Sequence, residues 1–223
     1  MRRRGDLVMS SVQVTRWWWV RHAPVRDHVG VLYGQRDVPC DTSDRRSFEG
    51  LAGKVPEGAV WVTSHLSRAI DTAAAILDAG SPVPVDPGDP IAEPDFAEQS
   101  FGDWQHNSWD DLHAADSPEF KTFWENPGCN APPGGESFAD QMARTAKTID
   151  RINGEFQGRD IVAVTHGGTI RAAVAHAMQT EPVMALAVTV DNLTLTRLDH
   201  FSTGLFKGQG GDWRILCVNL PPV

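Results

Sequence analysis

At 223 residues, with 41% hydrophobic and 22% charged side chains, the chain has the length and apolar content of one sizeable α/β domain or two small ones. Its 29 acidic residues against 20 basic ones give a formal charge of -9, a surface that repels nucleic acid and anionic lipid, so an anionic ligand must meet positive charge gathered locally. No apolar run approaches the roughly 18 residues of a membrane span, the basic start lacks the apolar stretch of a signal peptide, and Cys40, Cys129 and Cys217 show no C-x-x-C spacing, which together predict a cytoplasmic protein with free thiols.

Residues 1–14, with Arg2 to Arg4, are expected to be a flexible solvated arm ahead of one domain at 15–223. The bulky run RWWWV at 16–20 reads as a buried strand stopping at Arg21-His22; its three tryptophans fit strand-face packing better than an exposed stacking platform. A polar, turn-rich stretch follows. AVWVTS at 59–64 predicts a second buried strand and 66–80 a helix closed by Gly80, with Ser64 placed as its N-cap. A short strand is expected near Val83–Val85. The irregular stretch 95–133, with Trp104, Trp109 and Trp124, reads as a small helical insertion over one end of the sheet. Residues 136–156 predict a long helix behind Pro133-Gly134-Gly135. DIVAVTHGG then predicts strand, turn and a helix to about Met178, before antiparallel edge strands near 186–190, 193–198 and 212–218. Strands alternating with helices predict a three-layer α/β/α sandwich on a mostly parallel sheet.

Two histidines, His22 and His166, end two of these strands, and ligands of open α/β sheets bind at the carboxyl ends of strands. A third strand, ending in Thr63-Ser64, leads to Arg68 in the first turn of its helix. Arg21, Arg68 and two imidazoles therefore converge if the strands are neighbours. Guanidinium matches phosphate oxygens with a rigid fork of donors, and Gly167-Gly168 lets backbone approach a ligand at a helix N-terminus. A neutral imidazole can attack phosphorus, and nearby arginines favour that neutral form. These are the parts of an anion site with a nucleophile, although a single strand-end histidine is more often structural.

The ordered set of motifs resembles the histidine phosphatase (phosphoglycerate mutase-like) superfamily. It comprises Arg21-His22-Ala23 after a strand, Ser64-x-Leu66-x-Arg68-Ala69-x-x-Thr72-Ala73, Glu98-x-x-x-Gly102-x-Trp104, Gly134-Gly135-Glu136-Ser137 and Thr165-His166-Gly167-Gly168. The resemblance implies a phosphoglycerate mutase-like fold with His22 as the nucleophile that becomes phosphohistidine. It implies that Arg21, Arg68 and His166 bind the phosphoryl oxygens, with Gly167 adding a backbone donor. Glu98 would protonate the leaving oxygen and then deprotonate water, and Glu136 would line the pocket mouth. It implies no metal and no cofactor, a small phosphorylated metabolite as substrate, and a monomer or homodimer. The Glu98–Trp104 segment looks like the hydrolase branch, and the stretch Tyr33 to Pro39 resembles α-ribazole phosphatases. Ala23-Pro24 departs from the family's glycine and acidic residue, which puts the loop after the nucleophile in question.

Three rival readings differ in what they require. A phosphoglycerate mutase would return the phosphoryl group to product, not water. A non-catalytic binder of phosphorylated ligands would commonly have lost the nucleophile or an arginine. A metallohydrolase would need ligand spacing such as H-E-x-x-H, which the eight histidines lack.

Overall fold

The structure, a computed structural model, describes residues 12–80, 90–205 and 211–223. Its sheet contains β1 (Val14–Arg21), β2 (Val60–Thr63), β3 (Ile91–Ala92), β4 (Asp160–Thr165), β5 (Leu195–Phe201) and β6 (Trp213–Leu220). Their order is β3-β2-β4-β1-β5-β6. The first four run parallel, and β5 and β6 add antiparallel at one side, as the alternating pattern predicts.

Pleating sorts the tryptophan run. Trp17 and Trp19 point to one face and stack at 4.8 Å between ring centroids, while Trp18 and Val20 serve the other face. The helices, in chain order, are α1 (Arg45–Ala52), α2 (Ser67–Asp78), α3 (Trp109–Ala115), α4 (Pro118–Glu125), α5 (Phe138–Glu155), α6 (Gly167–Met178) and α7 (Pro182–Ala185). Phe48 and Leu51 of α1 and Ile76 of α2 pack on Val20, Trp61, Val162 and Val164. On the opposite face, Ile149 and Ile152 of α5 and Ile170 and Val174 of α6 cover Trp17, Trp19, Val62 and Ile161. Each such buried side chain contributes about 1.5–3 kcal/mol relative to exposure. The result is the expected three-layer α/β/α sandwich.

Helices α3 and α4 form the insertion and carry their own small core of Trp104, Phe120 and Phe123. Its base is closed where Asp103 N donates to Pro133 O at 2.8 Å. Gly102 makes this possible, because it has φ +49° and a Cβ there would collide with that carbonyl.

Several sequence expectations are corrected. The strand expected at 186–190 is absent: α7 ends at Ala185, and the carbonyls of Val188 and Val190 accept from Arg171 Nε (2.7 Å) and Arg21 Nη1 (2.6 Å) instead of from a neighbouring strand. Ser64 is not the N-cap of α2, which starts at Ser67 behind Leu66; its hydroxyl faces His166. The long helix starts at Phe138, not residue 136, because Ser137 and Asp140 close a reciprocal capping box there. Neither α1 nor the two-residue β3 is foreseen from the sequence. Of the arm expected at 1–14, residues 1–11 lie outside the described residues, as does the strand near Val83–Val85, while Val14 already pairs in β1 opposite Phe201. No helix of the described residues is long and apolar enough to cross a membrane.

Candidate active site

Strands β1 and β4 are hydrogen-bonded in register, with Arg21 opposite Thr165, so His22 and His166 leave the sheet side by side. Their ring centroids lie 5.2 Å apart, and both side chains are buried. His22 is fixed through its backbone, donating from N to Thr165 O (2.9 Å) and accepting at O from Asn192 Nδ2 (2.8 Å). Its Nδ1 stands 2.7 Å from Ala23 O. A carbonyl only accepts, so Nδ1 carries the hydrogen, and in the neutral ring Nε2 keeps its lone pair. Burial pushes the His22 ring down to about 3, helped by the Arg68 and Arg21 charges and opposed by the Ala23 hydrogen bond. His22 is therefore a neutral base in the physiological range. The Ala23-Pro24 departure leaves the loop anchored, since Ala23 N donates to Thr72 Oγ1 of α2 at 2.8 Å.

His166 contacts Ser64 Oγ through Nε2 at 2.6 Å, and its Nδ1 is buried without a partner. Burial holds its titration well below the ordinary histidine range, with Arg68, His22 and Arg21 pushing the same way. Arg68 is fully buried and donates from Nη2 to Gly34 O (2.6 Å) and from Nη1 to Arg36 O (2.7 Å), under the Tyr33 ring. The Nε atoms of Arg68 and Arg21 are likewise buried and unpartnered. Arg21, Arg68 and His166 thus each present a buried nitrogen with no hydrogen bond around one imidazole. An orphaned buried polar group costs about 1–3 kcal/mol, and anionic oxygens would relieve all three.

Glu98 reaches the same edge from the stretch after β3. That stretch is pinned by Phe96, whose ring meets Trp19 edge-on at 5.3 Å, and by Thr169 Oγ1 and Arg144, which donate to its carbonyls. The Glu98 carboxylate accepts from Gly168 N (3.0 Å), Gln99 N (3.0 Å) and Gln141 Nε2 (3.2 Å). A Cβ at position 168 would collide with Glu98 Oε1 and the Gln141 amide, so a larger residue there would push these side chains aside. Gly167 sits at the first turn of α6, beneath Arg21 and Arg171. Glu136 is held by Arg144 (2.7 and 2.9 Å), Ser100 N (2.8 Å) and Gln35 Nε2 (3.2 Å), so its carboxylate braces the Glu98 loop. Among the described residues no group of three or more His, Cys, Asp or Glu could hold a metal ion, and the three cysteines are free.

A profile of the histidine phosphatase superfamily (branch 1) matches residues 17–209. The chain belongs to this superfamily. The adenosylcobalamin/alpha-ribazole phosphatase of Salmonella typhimurium is 28% identical over 178 residues, covering 77% of this chain and 83% of that protein. The 2,3-bisphosphoglycerate-dependent phosphoglycerate mutase 2 of Gloeobacter violaceus is 29% identical over 180 residues, 78% of this chain and 80% of that protein. The solved mycobacterial glucosyl-3-phosphoglycerate phosphatase superposes with a TM-score of 0.75 at 25% identity, covering 93% of this chain and all of that one (100%). The chain also matches a bifunctional protein of Mycobacterium tuberculosis at 27% identity, but spans only 38% of that longer protein.

Four residues at the site are not foreseen from the sequence. Arg171 is half-buried one turn after Gly167, and that i, i+4 spacing on α6 is the signal that would have found it. Tyr33, packed against Arg68 and edge-on to His22, and Gln141 and Arg144, on α5, come from distant segments whose approach no local pattern encodes.

Proposed function

We propose that the chain is a phosphomonoesterase that moves a phosphoryl group from a small ester to His22 Nε2 and then to water. The observation that carries this reading is the neutral His22, tautomer set by Ala23 O, beside His166 and under the charges of Arg68 and Arg21, each of the three with an unpartnered buried nitrogen. Nε2 attacks phosphorus, and the ester P–O bond breaks as charge spreads onto the equatorial oxygens beside the two guanidiniums. The ester monoanion brings in one proton, which Glu98 passes to the leaving oxygen. Glu98 then takes a proton from water, whose oxygen attacks phosphorus. The P–N bond breaks and His22 returns to its neutral form.

Hydrolysis is favoured by the Glu98-x-x-x-Gly102-x-Trp104 segment, and α-ribazole 5'-phosphate is the first natural ester to assay. The Gloeobacter relative keeps a mutase in view, in which the phosphoryl group returns to product and activity needs a bisphosphorylated primer. Phosphate release from p-nitrophenyl phosphate in excess EDTA, compared with His22→Ala, tests the reading. Activity that survives EDTA and vanishes in the variant is expected. Loss on EDTA alone would sink the metal-free mechanism, and transfer only to an acceptor ester would favour the mutase.

A further inference from the structure

Beside Glu98 and Gly168 lies a cavity of ≈ 330 Å³, within the range of small-molecule clefts. Its polar lining comes from Glu98, Gln99, Gly168 and Arg171. The rest is aromatic and aliphatic, chiefly Phe101, Trp109, Phe123, Trp124 and Phe138. Trp109 and Trp124 face each other at 5.8 Å between centroids, with an interplanar angle of 51°. They are 37% and 51% exposed, although each ring is large enough to be a core residue. Behind them the aromatic rings pack on one another. Phe123 meets Trp124 edge-on at 5.4 Å, Phe101 meets Trp109 at 6.0 Å, and Trp104 and Phe120 fill the core beneath.

The position of Glu98 says which part of a substrate would lie there. A group that protonates the leaving oxygen must stand next to it, so the alcohol part of the ester extends to the Glu98 side of His22. Glu98 itself lines this cavity. A polyol or glycerate placed there would leave hydroxyls or a carboxylate against aromatic carbon, at the cost of unpaired polar groups. A flat apolar ring would bury surface on both indoles and meet them in offset or edge-to-face geometry.

We propose that this cavity is the subsite for the alcohol part of the ester, and that it selects an aromatic or similarly flat, apolar alcohol. The proposal rests on Glu98 being the group that protonates the leaving oxygen. Arg171, on α6, keeps the phosphoryl side of the ligand oriented toward that helix, while Trp109 and Trp124 read the alcohol.

Calorimetric binding of two non-hydrolysable probes, 2-naphthylmethylphosphonate and methylphosphonate, tests the subsite without turnover. On the wild-type chain the naphthyl probe is expected to bind at least about tenfold more tightly. In Trp124→Ala the gap should shrink to about threefold or less, and Trp124→Phe should restore part of it. Trp124 is half-exposed, so its loss leaves the buried core of the insertion in place; Trp124→Leu, apolar but not flat, is a second variant expected to narrow the gap. Equal affinities on the wild-type chain, or a gap unchanged in both Trp124→Ala and Trp124→Leu, would overturn the assignment. So would turnover of glycerol 3-phosphate with a kcat/KM matching that of 2-naphthyl phosphate. A wide binding gap with no turnover of either ester would instead overturn the hydrolase reading and leave the aromatic selectivity of the cavity standing.

Discussion

At the scale of single residues, the proton inventory of the site makes a measurable demand on stability. His22 titrates near 6.5 in an open chain and is pushed down to about 3 in the fold, chiefly by burial. As pH falls between those values the unfolded chain takes up a proton that the folded chain refuses. The folded state is therefore fully favoured above about 6.5 and loses that advantage on acidification, by up to about 1.4 kcal/mol per pH unit for each such group. His166 is displaced in the same direction and adds to the slope. Urea midpoints should fall steeply from about pH 6.5 downward, and His22→Gln should flatten the dependence. A midpoint flat across this window would mean that His22 is charged in the fold. Glu98 makes a kinetic demand. Glu98→Gln keeps the shape but cannot hand on a proton, so kcat on alkyl phosphates should drop by about 10²–10⁴. On p-nitrophenyl phosphate, whose phenolate leaves without protonation, the first step should suffer far less. Equal losses in the phosphorylation step of both substrates, read from the pre-steady-state release of alcohol and p-nitrophenol, would place the role of Glu98 elsewhere.

At the scale of elements, the site is made by strand ends meeting a helix start. Register between β1 and β4 places both imidazoles, and α6 begins where Gly168 N meets the Glu98 carboxylate. Gly168→Ala should dislodge Glu98 and lower kcat by about 10²-fold or more, with near-native far-ultraviolet dichroism; unchanged kinetics would show that Glu98 need not sit on α6. The capping box of α5 offers the contrasting case. Ser137→Ala should cost about 1 kcal/mol in urea unfolding and leave KM for p-nitrophenyl phosphate nearly unchanged, because the Ser137 hydroxyl that is removed hydrogen-bonds Asp140 of its own helix. The strand ends were legible because apolar runs such as IVAVT stop abruptly at polar residues. Ser64 was misread for a physical reason: a serine just before a helix usually caps it, and only the arrival of β4 beside β2 gives its hydroxyl a better partner in His166. The apolar run at 186–190 misled in a similar way, since the carbonyls of Val188 and Val190 go to arginines that no local pattern reveals.

At the scale of the whole molecule, a chain of net charge -9 gathers Arg21, Arg68 and Arg171 around one sheet edge, and among the described residues none of the three forms an ion pair. Arg21, His22, Arg68 and His166 could be read from motifs in chain order because each lies at a strand end or in the first turn of a helix. The braces could not: Gln141 and Arg144 hold the backbone around Glu98 across more than forty positions of sequence, and the aromatic wall depends on how α3 and α4 fold onto their own core. The central claim is the covalent intermediate on His22. Turnover of p-nitrophenyl phosphate stopped with alkali within its first cycles, followed by mass spectrometry of the peptides, tests it most directly. A phosphoryl group on His22, lost on acidification and absent from His22→Ala, is the predicted result. Steady phosphate release with no phosphoryl group on His22, or one carried by another residue, would contradict it.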